Sequence, residues 1–155
     1  MKIIFGLGQL KQKFKKPIVA LGVFDGVHRG HQFLLKKVVA RAKKIKGNSI
    51  VITFYPHPSH VLNPKQELSF LISLKERLRL LSLLGIDVCL VIKFSQGFSK
   101  IKAADFIRNY LVKKFHPQEI YVGRDFAIGS DQKGRVKLLQ QMGRQNGFKV
   151  YAVAP

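Results

Sequence analysis

A chain of 155 residues with 46% hydrophobic side chains is long enough for one domain with a buried core, and we treat residues 1–155 as one domain. No apolar run approaches the roughly 18 residues of a membrane span, and the apolar patch at the start is shorter than a signal-peptide core, so we expect a cytoplasmic protein without a membrane partner. The net charge of +20 attracts anions, but the lysines are spread over every predicted helix without an aromatic–basic signature, so we expect no specific nucleic-acid partner. The single cysteine, Cys89, excludes an internal disulfide and a cysteine-rich zinc site.

Apolar segments alternate with helical patterns along the chain. The predicted strands are residues 17–24, 49–55, 87–94, 119–123 and 148–154. The predicted helices are residues 31–46, 74–84, 103–115 and 133–146, and each is followed within two residues by a glycine or proline. Four strand–helix repeats predict an α/β fold with a five-stranded parallel sheet and helices on both faces. Ligands of such sheets bind beyond the carboxyl ends of the strands, which directs attention to residues 24–31, 55–61, 95–101 and 123–134.

The pattern with the clearest chemistry follows the first predicted strand. Asp25 and Gly26 permit a turn out of the strand, and the helix start that follows presents free backbone N–H groups to an anion. Gly30 removes a side chain where a phosphate could approach the backbone. His28 and His31 are three residues apart, so on a first helical turn they share a face and can donate hydrogen bonds to phosphate oxygens. An isolated His-x-x-His would more often be incidental, but the strand–turn–helix context favours a phosphate site.

Three segments taken together resemble a known family: GVFDGVHRGHQ (22–32), TFYPHPSHVL (53–62) and VGRDFAIGSDQKG (122–134). The His-x-Gly-His pattern is typical of the nucleotidylyltransferase superfamily. With the Pro-His-Pro and Gly-x-Asp-Phe segments, the chain resembles the FMN adenylyltransferase (FAD synthetase) module of prokaryotic bifunctional riboflavin kinase/FAD synthetases. The intervening KFSQGFSKIKAADFIRNYL (93–111) is similar to that family as well.

The resemblance implies a Rossmann-like nucleotidylyltransferase fold and transfer of AMP from ATP to FMN, giving FAD and pyrophosphate, with Mg²⁺ as cofactor. It implies His28 and His31 as catalytic residues. The ATP site that it implies comprises Gly22, Phe24, Asp25, Gly26, His28, Gly30, His31 and Asp125. The FMN site that it implies comprises Phe54, Tyr55, Pro56, His57, Pro58, Asp125 and Phe126. The magnesium ligands are left unidentified; His57 and His60 lack an acidic or cysteine partner nearby in the sequence.

Two departures from the family pattern matter. Ile128 stands where the family often has a second aromatic residue, which puts flavin stacking there in doubt. The family's Ser-Ser-Thr-x-x-Arg segment, which follows the fifth strand, does not occur in these 155 residues. We therefore expect a C-terminally incomplete module with weak adenylyltransferase activity and no riboflavin kinase activity, and a full-length product that continues into a riboflavin kinase module.

Two other functions stay open at this point. Another His-x-Gly-His transferase could act on phosphopantetheine, a phosphorylated nicotinamide compound or glycerol phosphate, although the Pro-His-Pro and Gly-x-Asp-Phe segments argue against it. A basic fragment could instead bind nucleotides or nucleic acid through its charge without catalysis, with an affinity that falls steeply with salt.

Overall fold

The structure, a computed structural model, describes residues 1–65, 72–130 and 135–154. Six strands are present in this part of the chain: β1 (Lys2–Phe5), β2 (Ile18–Leu21), β3 (Ser49–Tyr55), β4 (Val88–Lys93), β5 (Glu119–Gly123) and β6 (Lys149–Val153). They form one parallel sheet in the order β1-β4-β3-β2-β5-β6. The α/β class and the parallel sheet predicted from the sequence are therefore confirmed.

The helices connect the strands as crossovers. They are α1 (Arg29–Ile45), α2 (Pro58–Leu62), α3 (Leu74–Leu83), α4 (Gln96–Ser99), α5 (Ala103–Phe106), α6 (Lys113–Phe115) and α7 (Val136–Asn146). A π-helical segment, Ile107–Val112, joins α5 to α6, so residues 103–115 are helical throughout, as predicted. The predicted helix over residues 133–146 is described only from Val136 onward, because residues 131–134 lie outside the described residues.

The predicted number of five strands is wrong by one. The strand that the sequence analysis missed, β1, lies at the edge of the sheet and pairs only with β4, with Ile3 opposite Cys89. Its signal is weak because the strand is four residues long and leaves Ile3 and Phe5 exposed while burying Ile4. A short edge strand of this kind lacks the continuous apolar run that marks strands covered on both faces.

The sheet is buried on both faces by apolar side chains. On one face, side chains such as Val19 and Leu21 of β2 pack in a cluster with residues of the helical segments 103–115 and α7. On the other face, Ile18 and Ala20 pack in a cluster with residues of α1 and α3. Cys89 lies in this second cluster with no exposed surface, and burial raises the pKa of its thiol to about 12. Because both faces of the sheet are covered, the central strands consist of nearly continuous runs of apolar residues, and these runs are the pattern from which the strands were predicted.

None of the helices in residues 1–65, 72–130 and 135–154 combines the length and apolar character that a bilayer span requires.

Candidate nucleotide site

A cavity of about 590 Å³ opens at the carboxyl ends of β2, β3 and β5, where ligands of parallel sheets bind. It brings together nine of the residues singled out from the sequence: Gly22, Phe24, His28, Gly30, His31, Phe54, Pro58, Asp125 and Phe126. Five others do not line it: Asp25, Gly26, Tyr55, Pro56 and His57. The wall also includes Ile128, which the sequence analysis noted as a departure from the family pattern. The wall residues that it did not single out are Leu21, Val23, Leu34, Leu62, Phe94, Gly123, Arg124, Ala127, Gly129 and Val153.

The loop between β2 and α1 is held by two buried apolar side chains in an unusual backbone conformation. Phe24 (φ 51°) and Val27 (φ 44°) both have left-handed backbones, and both side chains are almost fully buried. Such a conformation is a genuine outlier for a β-branched residue and persists only where the surroundings impose it. The strand predicted to run to Phe24 ends at Leu21, and the left-handed backbone of Phe24 is incompatible with strand at that residue. The left-handed turns fall on Phe24 and Val27 rather than on Gly26, where an added Cβ would meet no atom within 4 Å.

His28 ends this loop as the N-cap of α1. Its Nδ1 accepts hydrogen bonds from the backbone N–H groups of Gly30 (3.2 Å) and His31 (3.4 Å). A neutral imidazole that accepts at Nδ1 carries its proton at Nε2, so the exposed ring of His28 has an N–H donor to offer. The N–H groups of Gly30 and His31, which the sequence analysis expected to be free for an anion, are thus taken by His28 Nδ1, and it is the ring of His28 that lies on the cavity wall at the start of α1.

His31 lies beside His28 in the first turn of α1. The two rings stack with centroids 3.6 Å apart, and the ring of Phe24 meets His31 edge-on at 5.3 Å. The Nδ1 atom of His31 is buried and finds no hydrogen-bond partner in the part of the chain that the structure describes. Burial, followed by the neighbouring His28, lowers the pKa of His31 to about 4, while Asp25 opposes the shift. Near neutral pH the His31 ring is therefore uncharged, and an anion bound beside it would favour its protonated form.

Asp25 and His57 connect the loop after β2 to the loop after β3 instead of lining the cavity. His57 Nε2 lies 3.2 Å from Asp25 Oδ2. His57 Nδ1 accepts a hydrogen bond from the Ser59 backbone N–H at 3.0 Å and thereby caps α2. The His57 proton therefore resides on Nε2 and is donated to the carboxylate of Asp25. This contact braces the two loops that border the cavity.

The far end of the cavity is apolar and lies beside a second cavity of about 270 Å³. The two share Leu62, Phe94, Ile128 and Gly129 on their walls. The second cavity is further lined by Phe98, Ser99, Ile101, Phe106 and Ser130. Phe54, Phe94 and Phe98 contact one another through their rings, with centroids 5.6–6.3 Å apart. The site thus has a polar end at the start of α1 and an aromatic end that suits a planar apolar group.

Among the described residues, Arg124 is the one lysine or arginine that lines the larger cavity, and it follows β5 directly. Its side chain is exposed, and Asp125 beside it adds a carboxylate to the same wall. The sequence analysis pointed to residues 123–134 but not to Arg124, because one arginine among 28 basic residues has no distinguishing pattern. Its position after a central strand is the signal that could have identified it.

A parallel sheet with helices on both faces and a cavity at its carboxyl edge defines a Rossmann-like α/β protein. The fold is shared with the pantoate–beta-alanine ligase of Francisella tularensis, solved with an ATP analogue and β-alanine (TM-score 0.62, 16% identity, 99% of this chain and 67% of that one). Residues 10–155 match the family described as FAD synthetase, and the chain belongs to that family.

Curated relatives agree with the family assignment. The bifunctional riboflavin kinase/FMN adenylyltransferase of Buchnera aphidicola subsp. Schizaphis graminum is 36% identical over 99% of this chain and 49% of its own length. The Escherichia coli K12 protein of the same description is 34% identical over 97% of this chain and 48% of its own. A Streptococcus pneumoniae structure described as a macrolide-efflux protein superposes with a TM-score of 0.79 (29% identity, 99% of this chain, 50% of that one). The chain spans about half the length of the curated relatives it matches.

Proposed function

We propose that this chain transfers the AMP group of ATP to FMN, forming FAD and pyrophosphate. The observation that carries the proposal is the stacked pair His28–His31 at the start of α1, on the wall of a cavity of about 590 Å³. Membership of the FAD synthetase family and the descriptions of its relatives supply the acceptor, FMN. The aromatic end of the cavity offers a surface for the flavin ring.

The proposed reaction needs no protein nucleophile. A phosphate oxygen of FMN attacks the α-phosphorus of ATP, the bond from that phosphorus to the oxygen bridging to the β-phosphate breaks, and pyrophosphate leaves with the bond electrons. Catalysis then consists of positioning and charge stabilisation. His28 Nε2–H and the guanidinium of Arg124 are the donors that we assign to the phosphates. Their effect is greatest where negative charge develops in the transition state.

We assign the FMN to the aromatic end of the site. Phe54, Pro58 and Phe126 line the cavity and are the proposed contacts of the flavin. Tyr55 ends β3, Pro56 and His57 begin the loop that follows, and we propose that these residues shape the flavin site from outside the wall. Ile128 offers the flavin an aliphatic contact in place of a second aromatic ring.

Mg²⁺ is proposed as the cofactor, and the donor set suits a site shared with the substrate. Within the described chain, no three His, Cys, Asp or Glu side chains cluster closely enough to hold a metal ion alone. Mg²⁺ is commonly bound through one or two carboxylates together with substrate phosphates and water. Asp125 is the carboxylate on the cavity wall and would hold the ion in this way. The bound ion would neutralise charge on the triphosphate.

The wider context is also proposed. Because the relatives carry a riboflavin kinase activity in about twice this length, we propose that the native product continues into a kinase module. Four further expectations stay predictions: a cytoplasmic location, no specific nucleic-acid partner, no kinase activity in residues 1–155, and weak adenylyltransferase activity of this chain.

The direct test is to incubate the chain with ATP and Mg²⁺ and to offer FMN, phosphopantetheine, nicotinamide mononucleotide or glycerol phosphate separately. We expect FAD and an equal amount of pyrophosphate with FMN, and no adduct with the other acceptors. Faster transfer of AMP to another acceptor than to FMN would show that FMN is not the preferred acceptor and would contradict the proposal. Salt-sensitive binding of DNA without any transfer would favour a non-catalytic basic module.

A further inference from the structure

Arg77 of α3 is a buried guanidinium outside the cavity wall. Its side chain is 2% exposed. Its Nη1 donates to Thr53 Oγ1 (3.1 Å) and to the carbonyl oxygen of Phe54 (2.9 Å), both near the carboxyl end of β3. Its Nε is buried without a partner, and no carboxylate within the described residues comes close enough to form an ion pair with it.

The hydrogen bonds of Arg77 continue to the neighbouring strand. Thr53 has no exposed surface, and its hydroxyl donates to the carbonyl oxygen of Val23 at 2.6 Å. Val23 lies in the loop that follows β2, and both Val23 and Phe54 line the larger cavity. A chain of hydrogen bonds thus runs from α3 through β3 to the loop after β2. The two hydrogen bonds of the Thr53 hydroxyl strengthen each other, because accepting one bond polarises the group that donates the other.

Stability alone is a poor reason for an arginine at this position. A buried charge without a carboxylate partner is costly, and apolar side chains of similar volume often stabilise a core as well or better. Burial lowers the pKa of Arg77, with Asp25 opposing the shift. What an apolar residue could not supply is the pair of directed bonds that fix the end of β3 relative to the loop after β2.

We propose that Arg77 is a positioning residue for the adenylyl transfer. It sets the spacing between the nucleotide loop, defined here as residues 22–28, and the flavin loop, defined as residues 54–58, through the Thr53 hydroxyl and the Phe54 carbonyl. The inference rests on the proposed function, in which these two loops hold the two reactants. A shift of about 1 Å between reacting groups can lower the rate on the order of 100-fold, so the spacing of the two loops should affect kcat.

The test compares Thr53→Val, which has nearly the same shape but lacks the hydroxyl, with Thr53→Ser, which keeps it. Arg77→Met and Arg77→Lys form a second matched pair, since lysine can still donate to both acceptors. We expect Thr53→Val and Arg77→Met to lower kcat by about 10- to 100-fold. The Ser and Lys variants should stay within about threefold of wild type. Binding of FMN alone and of a non-hydrolysable ATP analogue alone should change less than threefold in all four.

The split between kcat and binding separates positioning from a merely structural role. Rates are measured at a temperature where circular dichroism shows each variant to be folded, and if Arg77→Met does not fold, Thr53→Val carries the test. A folded Thr53→Val variant with wild-type kcat overturns the inference. Equal losses of kcat in Thr53→Val and Thr53→Ser also overturn it, because the hydroxyl would then be irrelevant.

A second readout needs no catalysis and keeps the inference distinct from the proposed function. Nitrogen NMR of the imidazoles reports the environments of His28 in the nucleotide loop and His57 in the flavin loop. We expect the signals of both to shift in Thr53→Val and to match wild type in Thr53→Ser. If wild type makes no FAD, the proposed function fails while these spectra still decide whether the contact positions the loops; unchanged spectra in Thr53→Val count against it.

Discussion

The two ends of the sheet are built differently. At the amino end, Ser49 and Asp87 exchange hydrogen bonds: the Ser49 N–H donates to Asp87 Oδ2 and the Asp87 N–H donates to Ser49 Oγ, both at 2.9 Å. Arg41 pairs there with the buried carboxylate of Glu119 at 3.0 Å. At the carboxyl end, by contrast, lie the two buried side-chain polar atoms found without a partner in the described residues, Nδ1 of His31 and Nε of Arg77.

The backbone shows the same contrast. Near the amino end, left-handed backbones fall on exposed residues: Lys16 before β2, and Lys46 and His116, which are C-caps of α1 and α6, where that conformation is ordinary. At the carboxyl end, left-handed backbones fall on the buried apolar residues Phe24 and Val27. Strain and unpaired polar atoms concentrate where a ligand can compensate them, whereas satisfied hydrogen bonds concentrate where only stability is required. The comparison predicts that changes at the two ends affect different measurements.

The largest effect is expected from the histidine pair. His28→Asn keeps a side-chain acceptor for the N-cap of α1 but removes the imidazole, and His31→Ala removes the partner ring. We expect each change to lower kcat for FAD formation by at least about 100-fold, the usual loss when one transition-state donor is removed. His116→Ala, at an exposed position at the other end, is the control and should keep wild-type activity. FAD formation within threefold of wild type in His28→Asn would contradict the role of the ring.

Arg124→Gln is expected to have a smaller effect at the same end. Loss of one charged donor should weaken binding of inorganic tripolyphosphate or an ATP analogue by about 10-fold, with less dependence on salt than wild type. Isothermal titration calorimetry at two salt concentrations measures both. Arg144→Gln, an exposed arginine on α7, changes the net charge equally and should leave the affinity nearly unchanged. Equal losses in the two variants would indicate a general field effect instead of a contact.

Ser49→Ala tests the amino end. The change removes a buried hydrogen bond to the Asp87 N–H and should lower the free energy of unfolding by about 1 kcal/mol, or Tm by about 3 °C. Urea unfolding and calorimetry measure the loss, and kcat at a temperature where the variant is folded should match wild type. A fall in kcat without a fall in stability would remove the contrast between the two ends.

The smallest effect is a pH dependence that originates in His31. Between pH 6.5 and about 4, the unfolded chain binds a proton at this ring that the folded chain does not. Stability should therefore fall as pH falls through this window and level off below it. The slope for one proton is at most about 1.4 kcal/mol per pH unit, and solvent near this partly exposed ring makes it shallower. Urea unfolding of wild type and His31→Gln at several pH values should show a shallower slope in the variant; parallel slopes would contradict the buried neutral ring.

The sequence was sufficient for the elements that obey a simple period. The central strands were predicted because they are apolar on both faces, and α1 was predicted within two residues because its buried positions recur at helical spacing. The strand β1 was missed because an edge strand of four residues buries one side chain and leaves no pattern.

The site was predictable only in part, for a physical reason. Some cavity residues could be predicted because they follow strands, and the carboxyl ends of the strands of a parallel sheet lie at the same edge. Leu62 at the end of α2, Phe94 after β4 and Val153 at the end of β6 could not be, because side chains from separate elements meet only through tertiary packing. The left-handed backbones of Phe24 and Val27 were also hidden, since local propensity would place such turns on glycine.

The buried thiol of Cys89 on β4 can report how often the core of the protein opens. Cys89 is the single cysteine of the chain, has no exposed surface and, with a pKa of about 12, is almost entirely protonated near neutral pH. A thiol reagent therefore modifies the chain only when the sheet separates from α1 and α3. The labelling rate consequently measures how often this core opens, and its slowing in the presence of a nucleotide would quantify how strongly occupancy of the cavity closes the molecule, without an introduced probe.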